Sequence, residues 1–267
     1  MKIEELPPTG LVASRRAALK ALAAVPLAHL LVPGTSLAGL VAEAGEDLTI
    51  TTADDRRIRA ACFRPATLPA PAVLLFHEWW GLNDQIRAVA ADLAAKQGYL
   101  ALAVDLYDGK VADNPDEARK LVTGIDESAA RETIRAWFRW LGESQDCNGR
   151  LATMGWCLGG GWSLAASLVH PVDATVIYYG NVARKAEELR ALKGPVLGHF
   201  ATRDRHIDRK MVEGFAAEME KAGKPLTVHW YEADHAFANP TGAAYDADDA
   251  ALAWERSTAF LKANLAG

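Results

Sequence analysis

The chain has 267 residues, 50% of them hydrophobic and 24% charged, with 21 glycines and 12 prolines. That balance excludes disordered, collagen-like and disulfide-stapled proteins and fits one large globular domain. The formal net charge of −5 supplies no basic field, which argues against nucleic acid or anionic lipid as the main partner and leaves a small molecule or a protein.

Residues Ser14-Arg15-Arg16-Ala17-Ala18-Leu19-Lys20 set an arginine pair just ahead of the apolar stretch Leu22 to Val32, as a twin-arginine export signal does. The stretch is shorter than the ~20 residues that a membrane-spanning helix needs. It ends at Pro33-Gly34 and is followed by Ser36-Leu37-Ala38, a small-x-small processing pattern. The expectation is a cleavable signal over 1–38 and a mature domain over 39–267, with processing between Val41 and Ala44 as the fallback. It carries with it the twin-arginine export machinery as a partner, a periplasmic or secreted location, and no stable membrane anchor. An amphipathic first helix of a cytosolic domain is the alternative. In an oxidising compartment Cys62 and Cys147 are candidates for a disulfide, and no two of the cysteines have C-x-x-C spacing.

Along the mature region, Leu48 to Thr51 and Ile58 to Phe63 read as short strands split by the Asp54-Asp55 turn. Ala72 to Phe76 is a continuous apolar run, the pattern of a strand covered on both faces. Asp84 to Lys96 has helical spacing and is closed by Gly98. A strand over Tyr99 to Val104 follows, then helices over Asp116 to Val122 and Glu127 to Leu141. Next come a strand over Arg150 to Gly155, a helix over Gly160 to Val169, and strands over Ala174 to Tyr179 and Pro195 to Phe200. A helix over Arg209 to Lys221, a strand over Leu226 to Tyr231 and a helix over Ala247 to Leu265 close the chain. Strands taking turns with helices predict an α/β fold, a single domain with a mostly parallel central sheet and helices on both faces.

The stretch that carries chemistry is Leu151-Ala-Thr-Met-Gly155-Trp156-Cys157-Leu158-Gly159-Gly160. An apolar strand runs into a Gly-x-Cys-x-Gly-Gly turn that opens into a small-residue helix. A tight strand-to-helix elbow needs glycine because its neighbours crowd it, and it pushes the central side chain out at the sheet's C-terminal edge. There the sulfur of Cys157 meets helix N–H groups that favour the thiolate. A buried, inert thiol is the plain alternative. A nucleophilic cysteine needs a base, and His235 qualifies because it lies in the loop Ala233 to Phe237, immediately beyond a late strand. His77, at the end of the Ala72 to Phe76 strand, is its rival; His170, His199, His206 and His229 are given no role. Asp204, just beyond another strand, is the carboxylate expected to orient the imidazole, with Asp208 as the alternative. The order Cys157, Asp204, His235 is that of nucleophile, acid and histidine in α/β-hydrolases.

At this point the chain resembles the dienelactone hydrolase family. The resemblance runs through Phe76-His77-Glu78-Trp79-Trp80-Gly81, Asp105-Leu106-Tyr107, Gly155-Trp-Cys-Leu-Gly-Gly160, Tyr178-Tyr179-Gly180 and Val228-His-Trp-Tyr-Glu232 with His235-Ala-Phe237. It implies an α/β-hydrolase fold and a carboxylic ester hydrolase with Cys157, Asp204 and His235 as its triad. Glu78 matches the family's glutamate that contacts the nucleophile and helps take its proton when substrate binds. The backbone N–H groups of Trp79 and Leu158 match the oxyanion hole. No metal or organic cofactor is implied. Two departures stand out. Dienelactone-cleaving members place an arginine four residues after the histidine to hold the substrate carboxylate, where this chain has Asn239. The family's second carboxylate-binding arginine has no clear match around Asp113 to Lys120, Arg119 lying nearby but out of register. Loss of such a bidentate fork removes recognition of an acid group, so a substrate other than the typical dienelactone is expected. Trp79, Trp80, Trp156 and Trp162 then suit an apolar or aromatic ester, with Trp80, Trp156 and Asn239 expected against the substrate. A catalytically silent binding module on the same scaffold is the alternative reading, and a redox role for Cys157 ranks last.

Overall fold

Short apolar runs that alternate with amphipathic stretches satisfy their backbone polar groups by pairing as a sheet, and they hide its two faces under helices. The computed structural model describes residues 44–266. The expected signal over 1–38 and its processing site lie outside them. In chain order the elements are β1 (Glu46–Thr51), β2 (Arg57–Phe63), β3 (Ala70–Phe76), α1 (Asp84–Gln97), β4 (Leu100–Val104), α2 (Pro115–Thr123), α3 (Glu127–Glu143), β5 (Cys147–Trp156) and α4 (Leu158–Val169). They continue with β6 (Ala174–Tyr178), α5 (Ala186–Leu189), β7 (Val196–Ala201), α6 (Arg209–Ala222), β8 (Leu226–Tyr231) and α7 (Ala247–Leu265). The short helix α5 is the element that periodicity did not announce, because one turn carries no repeat. Among the described residues no helix is long and apolar enough to cross a membrane.

The strands form one sheet in the order β1-β2-β4-β3-β5-β6-β7-β8. β1 pairs antiparallel with β2 and β2 with β4, and every pairing from β4 onward through β8 is parallel. The expected single-domain α/β architecture is therefore the one observed. Alternate residues of each strand feed opposite faces. Val73, Leu75, Ala152, Met154 and Trp156 pack with α1 and α7, whereas Ala72, Leu74, Phe76 and Leu151 pack with α3 and α4. Each fully buried Leu, Val or Phe of β3 is worth roughly 1.5–3 kcal/mol, which makes the central strands the rigid part of the scaffold.

Helix starts follow their caps. Asn83, Asn114, Asp126, Asp208 and Asp246 each accept a backbone N–H from the first turn of the following helix, and Gly98 closes α1 with φ 77°. Helix α4 differs, since its N-cap is Cys157 and no side chain caps it. Ser163 anchors that helix to the sheet, its hydroxyl donating to Val176 O at 2.9 Å.

Cys62 and Cys147 do not come together. Cys62 on β2 sits opposite Leu102 of β4, and Cys147 on β5 opposite Ala70 of β3, so two strands lie between them. Three strand spacings are about 14 Å, twice the Cα separation of ~7 Å that a disulfide tolerates.

Candidate active site

Five parallel strands end at one rim, and the residue or loop after each carries a polar side chain to it. Glu78 follows β3, Cys157 follows β5, Tyr179 follows β6, Asp204 follows β7 and His235 follows β8. Ligand sites in open α/β sheets lie at this C-terminal edge.

Cys157 adopts φ 53° and ψ −117°, a conformation costly for a residue with a Cβ. Close packing imposes it. A Cβ on Gly155 would lie 2.0 Å from Gly159 O, and one on Gly159 would lie 2.1 Å from Phe76 O. Strand, elbow and helix can touch there only as glycine. The Cys157 N–H donates to Tyr178 O at 3.0 Å, which locks the elbow to β6. Tyr179 (φ 37°) and Ala236 (φ 66°) share the same unusual backbone region, one beside the elbow and the other next to His235. Strain thus concentrates at the rim, as it does where the surrounding structure over-determines a site.

His235 Nδ1 meets Asp204 Oδ2 at 2.6 Å, and Cys157 acts on the imidazole electrostatically from the elbow. Asp204 is buried, and its other oxygen accepts the N–H groups of His206 (2.7 Å) and Ile207 (3.0 Å). Burial opposes charge on His235, yet the bond to Asp204 and the nearby Cys157 sulfur outweigh it and carry the imidazole up to about 10. Burial likewise opposes charge on Asp204, while the His235 bond and the two backbone donors hold its carboxyl below the ordinary value of 3.8. The imidazole and the carboxylate therefore form a hydrogen-bonded pair, with the Cys157 sulfur close enough to act on the imidazole. Cys157 and His235 are only partly buried, so the site opens to solvent at the sulfur end.

The rivals are accounted for. His77 is fully buried, its Nδ1 2.6 Å from Glu78 O and its Nε2 accepting the Leu106 N–H at 3.2 Å. Both ring nitrogens are spent on backbone, and burial keeps the ring neutral. Asp208 is a helix cap, accepting Met211 N at 2.8 Å. His199 is buried between Tyr231 Oη (2.8 Å) and Ser257 Oγ (2.9 Å), where it ties α7 to the sheet.

The N–H groups of Trp79 and Leu158 flank the elbow, one on the loop after β3 and the other at the first position of α4. Among the described residues no hydrogen bond engages either. Trp79 and Trp80 form an edge-on pair, ring centroids 4.9 Å apart, half-buried beside Glu78. The other two tryptophans belong elsewhere, which corrects the expectation for Trp156. Trp156 is 2% exposed and stacks on Tyr178 in the α1/α7 core layer, and Trp162 packs in the opposite layer. The position of Trp156 follows from strand parity, since it continues the Ala152 and Met154 face.

Glu78 and Asn239 also differ from expectation. Asn239 is 2% exposed and donates from Nδ2 to Glu78 Oε2 at 2.5 Å, so its amide is spent on the protein and not offered to a substrate. The other Glu78 oxygen accepts the Tyr179 hydroxyl at 3.3 Å. Burial pushes the Glu78 carboxyl up, against the downward pull of Asn239, His235 and Tyr179. Tyr179 was not singled out from the sequence, and the aromatic doublet before Gly180 was the available signal. Tyr107 is a second such residue. Its hydroxyl is buried without a hydrogen-bond partner, its ring lies 4.7 Å from that of His77, and Cys157 is among the groups that raise it. Among the described residues no cluster of three His, Cys, Asp or Glu side chains is arranged to hold a metal ion.

The ion pair has a pH signature. With His235 near 10 when folded and 6.5 when unfolded, its contribution to stability is full below pH 6.5 and is lost as pH rises through 10. Asp204 contributes above its unfolded value of 3.8, and its contribution is lost as pH falls through the lower folded value. Asp204→Asn keeps the acceptor for the two backbone donors but removes the charge. Thermal unfolding of this variant should show a loss of about 1.5–3 kcal/mol near pH 6 and a flatter decline towards pH 10 than the parent. Equal slopes would mean that His235 is not held by Asp204.

Residues 58–265 match the model of the dienelactone hydrolase family. The carboxymethylenebutenolidase of Pseudomonas putida is 32% identical over 231 residues, covering 81% of this chain and 95% of its own. A Klebsiella pneumoniae subsp. pneumoniae structure assigned as a dienelactone hydrolase superposes with a TM-score of 0.73 at 26% identity, covering 81% of this chain and 97% of its own. The dienelactone hydrolase-like promiscuous phosphotriesterase P91 from metagenomic libraries shares the fold, with a TM-score of 0.72 at 21% identity over 82% of this chain and 98% of its own. With a cysteine elbow, an acid and a histidine gathered at the sheet rim, and with the match running through nearly all the described residues, the chain belongs to the dienelactone hydrolase family and is a hydrolase of esters or lactones.

Proposed function

We propose that the chain opens lactones or cleaves small carboxylic esters through a thioester on Cys157. The observation that carries this reading is the His235–Asp204 hydrogen bond at 2.6 Å, set beside a strained cysteine elbow at the start of an uncapped helix. His235 takes the thiol proton and Asp204 fixes the imidazole tautomer and balances its charge. The thiolate adds to the substrate carbonyl, and the N–H groups of Trp79 and Leu158 hold the oxygen that becomes negative. His235 then protonates the leaving oxygen and activates water for release of the acyl group.

The substrate is read as a neutral ester, not a dienelactone carrying a free carboxylate. What supports this is Asn239 in place of an arginine and buried against Glu78, together with the half-open Trp79 and Trp80 pair, which offers aromatic surface at the mouth. Export is proposed on the sequence alone, from the arginine pair at Arg15 and Arg16 and the apolar stretch that follows.

The test is direct observation of the intermediate. On mixing with a slowly released aryl ester and quenching in acid, intact mass should rise by one acyl group. Peptide mapping should place the group on Cys157, and neutral hydroxylamine should remove it. An acyl group found on another residue, or none during demonstrable turnover, sinks the thioester reading.

A further inference from the structure

Strand parity puts Asp47 and Thr49 of β1 and Arg59 of β2 on one face of the sheet's antiparallel edge, with Thr49 and Arg59 directly opposite each other. Arg87 of α1 reaches over that face and holds Asp47 at 2.8 Å. The turn after β4 closes one side, because the Asp105 N–H donates to Arg59 O at 3.1 Å. Together with Leu82, Lys110 and Val111 these residues line a cavity of about 260 Å³. Pockets for drug-sized organic ligands run to roughly 300–1,000 Å³ and are mostly apolar. A smaller cavity with a mainly charged lining fits a compact ion.

The charges in the lining are not matched one to one. Arg87 is taken by Asp47. Both oxygens of Asp105 are spent on backbone, Oδ1 accepting the Tyr107 N–H at 2.8 Å and Oδ2 the Gly109 N–H. Among the described residues Arg59 and Lys110 pair with no carboxylate. Three cations thus face two carboxylates, and one positive charge is in excess. The turn is also shaped round the guanidinium. A Cβ on Gly109 would stand 2.6 Å from Arg59 Nη1, and the left-handed backbone of Asp108 (φ 61°) and Gly109 (φ 85°) lets the chain pass that close.

We propose that this cavity binds a small monocarboxylate, at a site separate from the catalytic centre. The Arg59 fork takes the two carboxylate oxygens, Lys110 supplies a second positive charge and the Thr49 hydroxyl a neutral donor. One negative charge matches the excess, whereas a dianion such as sulfate overshoots it. Leu82 and Val111 give a short apolar body a wall to lie against. Hydrolysis of an ester or lactone releases an acid of this class, so the reaction itself furnishes the ligand. None of Glu78, Cys157, Asp204 and His235 lines the cavity. The segment 105–112 stands between it and the mouth of the catalytic site, since the Tyr107 ring lies 4.7 Å from that of His77 and the Ala112 N–H donates to Trp80 O at 2.9 Å. A carboxylate that ties Lys110 to Arg59 therefore braces the segment on which Trp80 is seated.

Calorimetric titration of the full chain with sodium butyrate, at an ionic strength held constant with sodium chloride, should show saturable binding, and the thermal midpoint should rise with butyrate concentration. Arg59→Gln and Lys110→Gln should each weaken that binding by about 10-fold or more. Arg57→Gln is the control, because Arg57 stands on the same strand and face but outside the cavity, and it should weaken binding by less than about 2-fold. Gly109→Ala keeps every charge yet must push the guanidinium aside, so it should weaken binding as well, which separates a shaped site from a general attraction of anions. No saturable binding up to about 50 mM butyrate overturns the proposal. Binding that survives Arg59→Gln undiminished overturns it too, since the acid would then be sitting elsewhere, as a product at the catalytic centre does. An equal loss in Arg57→Gln, or sulfate binding more tightly than butyrate, has the same force. None of these readouts depends on the thioester, so their failure leaves that reading untouched.

Discussion

Cys157→Ala is expected to lower ester turnover by on the order of 10⁴-fold or more, to the level left by binding and oxyanion stabilisation alone. It should do so in a protein that remains folded. The side chain is only partly buried, so little packing is lost, and alanine meets the same backbone strain at φ 53° as cysteine does. Urea unfolding should therefore place the variant within about 1 kcal/mol of the parent. The two readouts must be taken together, because loss of activity in an unfolded variant says nothing about a nucleophile. A folded Cys157→Ala protein that still hydrolyses a chromogenic ester at the parental rate would leave His235 and Asp204 as an ion pair without a reaction to serve.

The scaffold was legible in the sequence because its signals are local. The helical spacing from Asp84, closed by Gly98, announces α1, and the continuous apolar run of β3 announces a strand buried on both faces. The Gly155 to Gly160 elbow was legible for the same reason, since crowding at a strand-to-helix turn is written in the residues that make the turn. Candidates for the site were visible too, each just past a strand, but the choice among them was not. His77 and His235 both follow strands, and only burial and the spent nitrogens of His77 separate them. Asp204 and Asp208 share one loop, and only coordinates show which faces the imidazole and which caps α6. The engagement of Glu78 is further out of reach, since its partners Tyr179 and Asn239 stand 101 and 161 residues away. Asn239 was visible as a missing arginine; that its amide is turned onto Glu78 follows from Thr241, whose backbone N–H donates to the amide oxygen at 2.9 Å, a contact that no spacing rule encodes.

Gly159→Ala is expected to cost more than 4–5 kcal/mol and to yield little soluble protein, with no route to repair by side-chain movement. The added Cβ would lie 2.1 Å from Phe76 O and 2.5 Å from His77 O, both backbone atoms at the end of the central strand β3. Relief requires α4 to withdraw from β3, and that would pull the Leu158 N–H and the Cys157 sulfur away from the loop that carries Glu78 and Trp79. Any variant that does fold should then be inactive as well as unstable. Gly214→Ala is the matched control. Gly214 lies inside α6 with nothing within 4 Å of its would-be Cβ, so alanine should raise stability by about 0.5–1 kcal/mol through helix propensity alone and leave turnover unchanged. Urea midpoints and ester turnover of the two variants, measured side by side, separate glycine retained for close approach from glycine that is merely tolerated. A Gly159→Ala protein as stable and active as the parent would show that the elbow does not need backbone contact with β3 to hold its cysteine.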